Sequence, residues 1–270
     1  MLIKRIITAA FLLLGLLASL FWLPKNGWAL VLLLPLGAGA AEWAKLSSLS
    51  TKRTVLYILV NIAFAMAVYR YNLSVWLYLA ALLLWLVIVP MWLAVGWQLK
   101  SFWLRAPLGL VVLVPVWIAL VELRDRGPWW VLLLMGVVWI ADSAAYFTGR
   151  RFGKHKLAPN ISPGKTWEGV IGAVLGVTAY CMIVLLALRS PVFNPYAWAI
   201  PILLLGLLML YLGILGDLFE SWIKRVAAVK DSGTLLPGHG GVLDRIDALA
   251  ATLPIAALIL LHADMVQQIL

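Results

Sequence analysis

Charge is what this 270-residue chain has least of. Only 12% of its residues are Asp, Glu, Lys or Arg, and 11 in all are acidic, where an ordinary soluble domain carries about 25% charged residues. Hydrophobic residues make up 64%. A soluble fold of this length could not enclose so much apolar surface in one core, so lipid must be the solvent for most of it. Cysteine is scarce as well. The single Cys181 lies in an apolar run, which excludes an intrachain disulfide and a thiolate metal cluster and reads as a small buried hydrophobe. Internal repeats, low-complexity tracts and soluble-domain stretches are all missing. The chain is read as one membrane domain, 1–270, with N-terminal spans in 1–127 and the chemistry in 128–270.

What the chain has instead is long unbroken apolar runs. In lipid, every backbone N–H and C=O must be paired within its own segment or within a closed barrel. Unbroken runs, rather than ten-residue alternating stretches, select helices. The expected fold class is all-α, a polytopic membrane protein with about nine spans near 6–23, 27–42, 54–70, 74–98, 107–122, 128–148, 167–188, 196–215 and 244–262. Lys4-Arg5 ahead of the first run resembles a signal peptide, but no small-x-small cleavage site follows, so it is read as a retained first helix. Tryptophans near the span ends, among them Trp22, Trp28, Trp43, Trp129, Trp130 and Trp167, suit an interfacial belt.

The net charge of +10 does not point to nucleic acid, because the basic residues sit in short segments between spans. Sixteen of the 21 Lys and Arg fall in residues 1–5 and the loops near 43–53, 99–106, 149–166 and 216–245. Under the positive-inside rule these are cytoplasmic. An odd span count then puts the C-terminus outside a plasma (inner) membrane.

The few acids are unevenly spread. Glu42, Glu122 and Asp125 sit at span ends and read as solvated interface residues. Asp142, Glu168, Asp217, Glu220, Asp231, Asp244 and Asp247 all lie in or beside the two long cytoplasmic loops. Asp142 closes an apolar helix, and intramembrane carboxylates usually face a polar cavity. The next loop runs from Gly149 through Arg150, Arg151, Lys154 and Lys156 to Ser162-Pro163-Gly164-Lys165-Thr166-Trp167-Glu168. Gly164-Lys165-Thr166 is not a nucleotide P-loop: that pattern needs a glycine where Pro159 stands, and a preceding strand. A cationic, glycine-containing loop suited to phosphates remains.

In the last loop, Asp217, Glu220, Ser221 and Lys224 fall at i, i+3, i+4 and i+7, one polar helix face. Arg225, Lys230-Asp231 and the turn Pro237-Gly238-His239-Gly240-Gly241 follow. Asp244-Arg245 and Asp247 open the final span. The glycines let backbone approach a ligand. Paired carboxylates beside Lys and Arg are what a Mg²⁺–nucleotide site requires. His239 alone reads as a hydrogen-bonding loop residue, and no His/Cys spacing supports zinc.

From Ser221 to Asp247 the chain resembles the phosphatidate cytidylyltransferases. Their signature is Ser-x-apolar-Lys-Arg-x4-Lys-Asp-x-small-x2-apolar-Pro-x-His-Gly-Gly-x2-Asp-Arg-x-Asp, met here at each specified position. Asp142-Ser143, Ser162 to Glu168 and Gly216-Asp217 also look like the family's polar segments; residues 1–127 match only in hydropathy. The resemblance implies a Mg²⁺-dependent transfer of CMP from CTP to phosphatidic acid, giving CDP-diacylglycerol and pyrophosphate, with a second cation permitted. It implies a homodimer among membrane lipids, metal on Asp217 and Asp244, and catalysis by those two with Lys224 and Arg225. Substrate binding would fall to Asp142, Ser162, Lys165, Thr166, Glu168, Glu220, Ser221, Lys230, Asp231, His239, Gly240, Gly241, Arg245 and Asp247.

Two rival readings fit less well. A CDP-alcohol phosphotransferase would carry Asp-Gly-x2-Ala-Arg-x8-Gly-x3-Asp-x3-Asp, a run not found here. A transporter of anionic metabolites would place its polar site near the membrane midplane, not on one face.

Overall fold

A computed structural model of the chain describes residues 2–97, 102–187, 195–238 and 240–261. Its elements in order are α1 (Leu2–Trp22), α2 (Lys25–Val31), α3 (Leu33–Leu46), α4 (Thr51–Arg70), α5 (Ser74–Leu83), a π-helical turn (Leu84–Ile88), α6 (Val89–Val95), α7 (Phe102–Arg126) and α8 (Pro128–Phe152). Two short strands follow, β1 (Lys156–Ala158) and β2 (Ser162–Thr166), then α9 (Trp167–Ala187), α10 (Pro195–Val226) and α11 (Leu243–Leu261).

The chain is a helical membrane protein, and among the described residues seven helices are long and apolar enough to cross a bilayer. In this count α2 runs on into α3 and α5 into α6. That is fewer than the nine expected. In α1 the apolar stretch Ile7–Trp22 is short, and α11 opens with Asp244, Arg245 and Asp247. Protein, not lipid, surrounds the middle of α11: every residue from 248 to 257 is buried, against α10, α7, α5, α8 and α3. It is the central post of the bundle.

Three further expectations need correction. The segment 149–166 is not all loop. α8 runs on to Phe152, and β1 pairs antiparallel with β2, Lys156 opposite Thr166 and Ala158 opposite Ser162. Strands of three and five residues are too short to show an alternating pattern. The strand holding Gly164-Lys165-Thr166 contains that run instead of preceding it, so the P-loop stays excluded. α10 does not stop near 215. Its 32 residues span ~48 Å at 1.5 Å per residue, well beyond a hydrocarbon layer of about 30 Å. Its last turns carry the Asp217-to-Arg225 face out of the apolar zone. Nor is the segment near 99–106 a solvated loop throughout. Arg105 is buried and donates to the Leu46 carbonyl at 2.8 Å, locking α7 to the end of α3.

The tryptophans divide into two kinds. Trp22, Trp129, Trp130 and Trp167 are exposed, as a belt requires. Trp28 and Trp43 are buried, donating to the carbonyls of Leu120 at 3.1 Å and Arg105 at 2.8 Å. In an apolar interior these N–H groups need partners, and they bolt α2 and α3 onto α7. Cys181 is buried in packing, as expected.

Candidate active site

α8, α9 and α10 pack on one another, and at one end of the bundle they enclose a cavity of about 510 Å³ capped by the β1–β2 hairpin. Its helical wall is largely apolar, including Val138, Val170, Met209 and Leu210. Its polar lining consists of Asp142, Arg150, Ser162, Lys165, Thr166 and Asp217. Lys165 Nζ lies 2.5 Å from Asp217 Oδ2, so β2 delivers a cation onto the polar face of α10. Ser221 Oγ stands 3.4 Å from Asp217 Oδ1, one turn along.

Local chemistry explains why the hairpin sits there. Thr166 Oγ1 accepts the Gly169 N–H at 3.1 Å, the N-cap arrangement that satisfies an otherwise orphaned donor at the start of α9. Glu168 accepts the His155 N–H at 3.2 Å, and His155 Nδ1 stands 2.6 Å from its carboxylate. Arg225 donates from Nε to the Ile161 carbonyl at 3.5 Å, joining the hairpin tip to the end of α10. Thr166, Glu168 and Arg225 therefore all fix the position of Lys165.

Behind the cavity lies a second charged group. Lys224 Nζ is 2.6 Å from Glu220 Oε2 and 2.5 Å from Asp244 Oδ1, with all three side chains nearly buried. Asp244 Oδ2 accepts the backbone N–H groups of Ser232 (3.1 Å) and Gly241 (2.8 Å) and lies 3.0 Å from the Ser232 hydroxyl, whose one proton is shared with Glu42. The glycines here are steric necessities. At Gly240, with φ +81°, a Cβ would stand 2.6 Å from Asp244 Oδ2. At Gly241 it would strike the Ser232 hydroxyl and the Glu42 carboxylate.

Beyond this group is a cleft of about 530 Å³, lined by Lys230, Asp231, Thr234, Pro237, Gly240 and Arg245. Asp247 accepts the Ala248 N–H at 2.8 Å. Its carbonyl lies where a Cβ on Gly216 would fall, which draws α11 against α10. His239 lies outside the described residues.

The structure thus gathers the expected residues at one end but does not put Asp217 and Asp244 on a common partner: each holds its own lysine. Among the described residues, no three His, Cys, Asp or Glu side chains are grouped to hold a metal. Mg²⁺ at a nucleotide site ordinarily takes one or two carboxylates together with substrate phosphates, and the oxygen-only donor set suits that hard ion.

Two lining side chains are not singled out by the sequence reading, which counts Arg150 only among the cations of its loop and gives Tyr146 no role. Arg150 and Tyr146 line the same cavity, with Arg150 donating to the Tyr146 hydroxyl at 3.0 Å. Asp142, Tyr146, Gly149 and Arg150 fall at i, i+4, i+7 and i+8, a helical face that could have been counted. Glu42 is not the solvated interface residue expected. It is buried and accepts hydrogen bonds from Ser232, Val242 and Leu243, and nothing local in the sequence marks it.

Fold and site together define a polytopic helical membrane protein with a cavity lined by both cations and carboxylates at one end of its bundle. The chain belongs to the cytidylyltransferase family, whose model matches residues 3–263. It is 38% identical to a phosphatidate cytidylyltransferase of Pseudomonas aeruginosa, covering 96% of this chain and 97% of that one. It is 32% identical to that of Haemophilus influenzae, covering 94% and 96%. A phosphatidate cytidylyltransferase of Brucella suis shares 50% identity over 121 residues, 45% of this chain and 43% of that one.

Proposed function

We propose that the chain transfers CMP from CTP to phosphatidic acid, giving CDP-diacylglycerol and pyrophosphate for phospholipid synthesis. The observation that carries this reading is the cavity between α8, α9 and α10. Its apolar helical wall suits acyl chains, while Lys165, Arg150 and the carboxylates Asp142 and Asp217 stand in the same space. The whole-length similarity to proteins of this name supports it.

In the reaction, an oxygen of the lipid phosphate forms a bond to the α-phosphorus of CTP. The bond from that phosphorus to the bridging oxygen of the β-phosphate breaks, and pyrophosphate leaves with the electron pair. Both reactants are polyanions, so the barrier is largely electrostatic and falls when fixed cations meet the phosphates. Lys165, Lys224 and Arg225 supply those charges, and the Gly240-Gly241 turn lets backbone approach the nucleotide. Asp217 and Asp244 would hold Mg²⁺, with a second cation permitted. When bound, Mg²⁺ neutralises phosphate charge and polarises the phosphoryl group.

The deciding assay measures pyrophosphate release from the purified protein in lipid. Release should require both CTP and phosphatidic acid, and release with CTP alone or no release at all refutes the reading.

We further propose a homodimer in a plasma (inner) membrane, with α1 and α11 also crossing to make nine spans. The N-terminus and the site would face the cytoplasm and the C-terminus the outside. The charge asymmetry supports this. With Cys181 replaced, single cysteines at Lys52 and Leu235, both exposed, should be shielded from impermeant reagents added to intact cells. One at Asn72 should react. External labelling at Leu235 overturns the orientation.

A further inference from the structure

Asp244 is held directly by Lys224, Ser232 and Gly241, and behind that support stands one residue from the half of the chain that the family motif does not touch. Glu42 lies near the end of α3, 4% exposed. Both its oxygens are engaged: Oε1 accepts the Val242 N–H at 3.0 Å, and Oε2 accepts the Leu243 N–H at 2.9 Å and the Ser232 hydroxyl at 3.0 Å. Val242 immediately precedes α11 and Leu243 opens it, where the first N–H groups have no intrahelical acceptors. Glu42 therefore caps α11 from another helix, with its negative charge at the positive end of the helix dipole. The same Ser232 hydroxyl stands 3.0 Å from Asp244 Oδ2, and Ser232 N–H also donates to it. From Asp244 the line continues through Lys224 to Glu220. The space around Glu42 is tailored to it, since a Cβ at Gly233 or at Gly241 would run into its carboxylate.

We propose that Glu42 is a positioning residue for the transfer reaction. It fixes the start of α11 and, through Ser232, the orientation of Asp244 toward metal and nucleotide. The inference rests on the reaction proposed above. A residue of this kind touches no reacting atom, yet loss of such a supporting hydrogen bond typically costs about 10–100-fold in metal affinity or activity. A buried acid that only helps the protein fold behaves differently: its loss lowers the amount and stability of the enzyme but not the turnover of each folded molecule.

The test uses the full-length protein in lipid, after wild type has shown CTP- and phosphatidate-dependent pyrophosphate release; failure of that control falls on the reaction, not on Glu42. Glu42→Gln keeps the size but must set an NH₂ group against one of the three donors. Ser232→Ala removes only the hydroxyl bridge between Glu42 and Asp244, leaving the Ser232 N–H bond to Asp244 and the two bonds from Glu42 to the Val242 and Leu243 N–H groups. Four quantities are measured: kcat per folded molecule, KM for phosphatidic acid, the Mg²⁺ concentration for half-maximal rate, and the rise in Tm caused by Mg²⁺ with CTP. That last readout reports binding without turnover. For Glu42→Gln, kcat should fall and half-maximal Mg²⁺ should rise, each by about tenfold or more. The ligand-induced Tm rise should shrink, and KM for the lipid should stay put. Ser232→Ala should move the same quantities in the same direction by less, and the double variant should be no worse than Glu42→Gln. Should Glu42→Gln fail to fold, Ser232→Ala decides alone. Normal kcat, Mg²⁺ dependence and ligand-induced Tm rise in the folded variants would overturn the proposal.

Discussion

The two ends of the bundle are built from the same residue types and put them to opposite uses. At the end where α7 passes into α8, Lys25 pairs with Asp125 at 2.5 Å and Tyr78 donates to Glu122 at 2.9 Å. There Arg124 donates to the Leu20 carbonyl at 3.2 Å and also to that of Leu23. Each of these groups is satisfied by the protein itself. Arg124 caps the carbonyls at the end of α1, a job basic side chains commonly do there. At the other end, Lys165 and Asp217 pair just as closely, but on the wall of a cavity of about 510 Å³. Lys224 is shared by two carboxylates, Glu220 and Asp244. A pair closed on itself is structure. A pair that opens on a cavity can exchange partners with an incoming metal or phosphate.

The largest effects should follow from removing the carboxylates of the second end. Asp217→Asn and Asp244→Asn preserve shape but remove the charge that attracts a hard cation. Each should lower kcat at least about 100-fold, the scale seen when one transition-state electrostatic contact is deleted. The double variant should be little worse than either single, because residues acting as a unit are not additive. Near-normal Mg²⁺-dependent turnover by Asp244→Asn would sink the metal assignment while leaving the family untouched.

A smaller effect is expected from the cations. Lys165→Ala removes from the cavity wall a charge proposed to bind phosphate and should raise KM for CTP or lipid about tenfold, worth about 1.4 kcal/mol. Lys52 is exposed in the first turn of α4 and faces no cavity. Its replacement by Ala should leave both KM values unchanged. If the two variants behave alike, the basic residues serve only membrane orientation, and the contrast between the two ends loses its chemical meaning.

How much of this could be read in advance depended on how local each signal was. The polar face Asp217, Glu220, Ser221, Lys224 was legible because one helix carries it at fixed spacing, and the structure presents it so. The end of α10 was not: charge at 217 and 220 ends the hydropathy of the span without ending the helix, whose Lys224 and Arg225 suit its C-terminal dipole. The hairpin escaped because its strands are short and its anchors, His155 with Glu168 and Arg225 with Ile161, are 13 and 64 residues apart. Glu42 is the extreme case. Its partners lie 190 to 201 residues away, so a lone acid at a span end looked solvated when it was a buried cap. Trp28 and Trp43 misled for the same reason, since a belt and a buried bolt occupy the same place in sequence.

The smallest effect should come from Asp125→Asn, and it tests the comparison most directly. Asp125 and Lys25 lie as close as Lys165 and Asp217, both at 2.5 Å, so distance alone would rank the two pairs equally. The surroundings differ. The Lys25 side chain is 54% exposed and that of Asp125 28%, and exposed pairs contribute only about 0–1 kcal/mol. Lys25 also lies over the Tyr69 ring, 5.9 Å from its centroid, and keeps that neighbour when the carboxylate goes. The Asn variant should therefore show a Tm within about 2–4 °C of wild type, the shift that 1 kcal/mol produces in a protein of roughly this size. Its kcat and both KM values should be unchanged. Thermal melts and steady-state kinetics on the same preparation check both halves of this expectation. A tenfold loss of turnover in a variant that melts normally would mean that the closed end is coupled to the reaction, and that facing a cavity is not what separates the Lys165–Asp217 pair from the structural one.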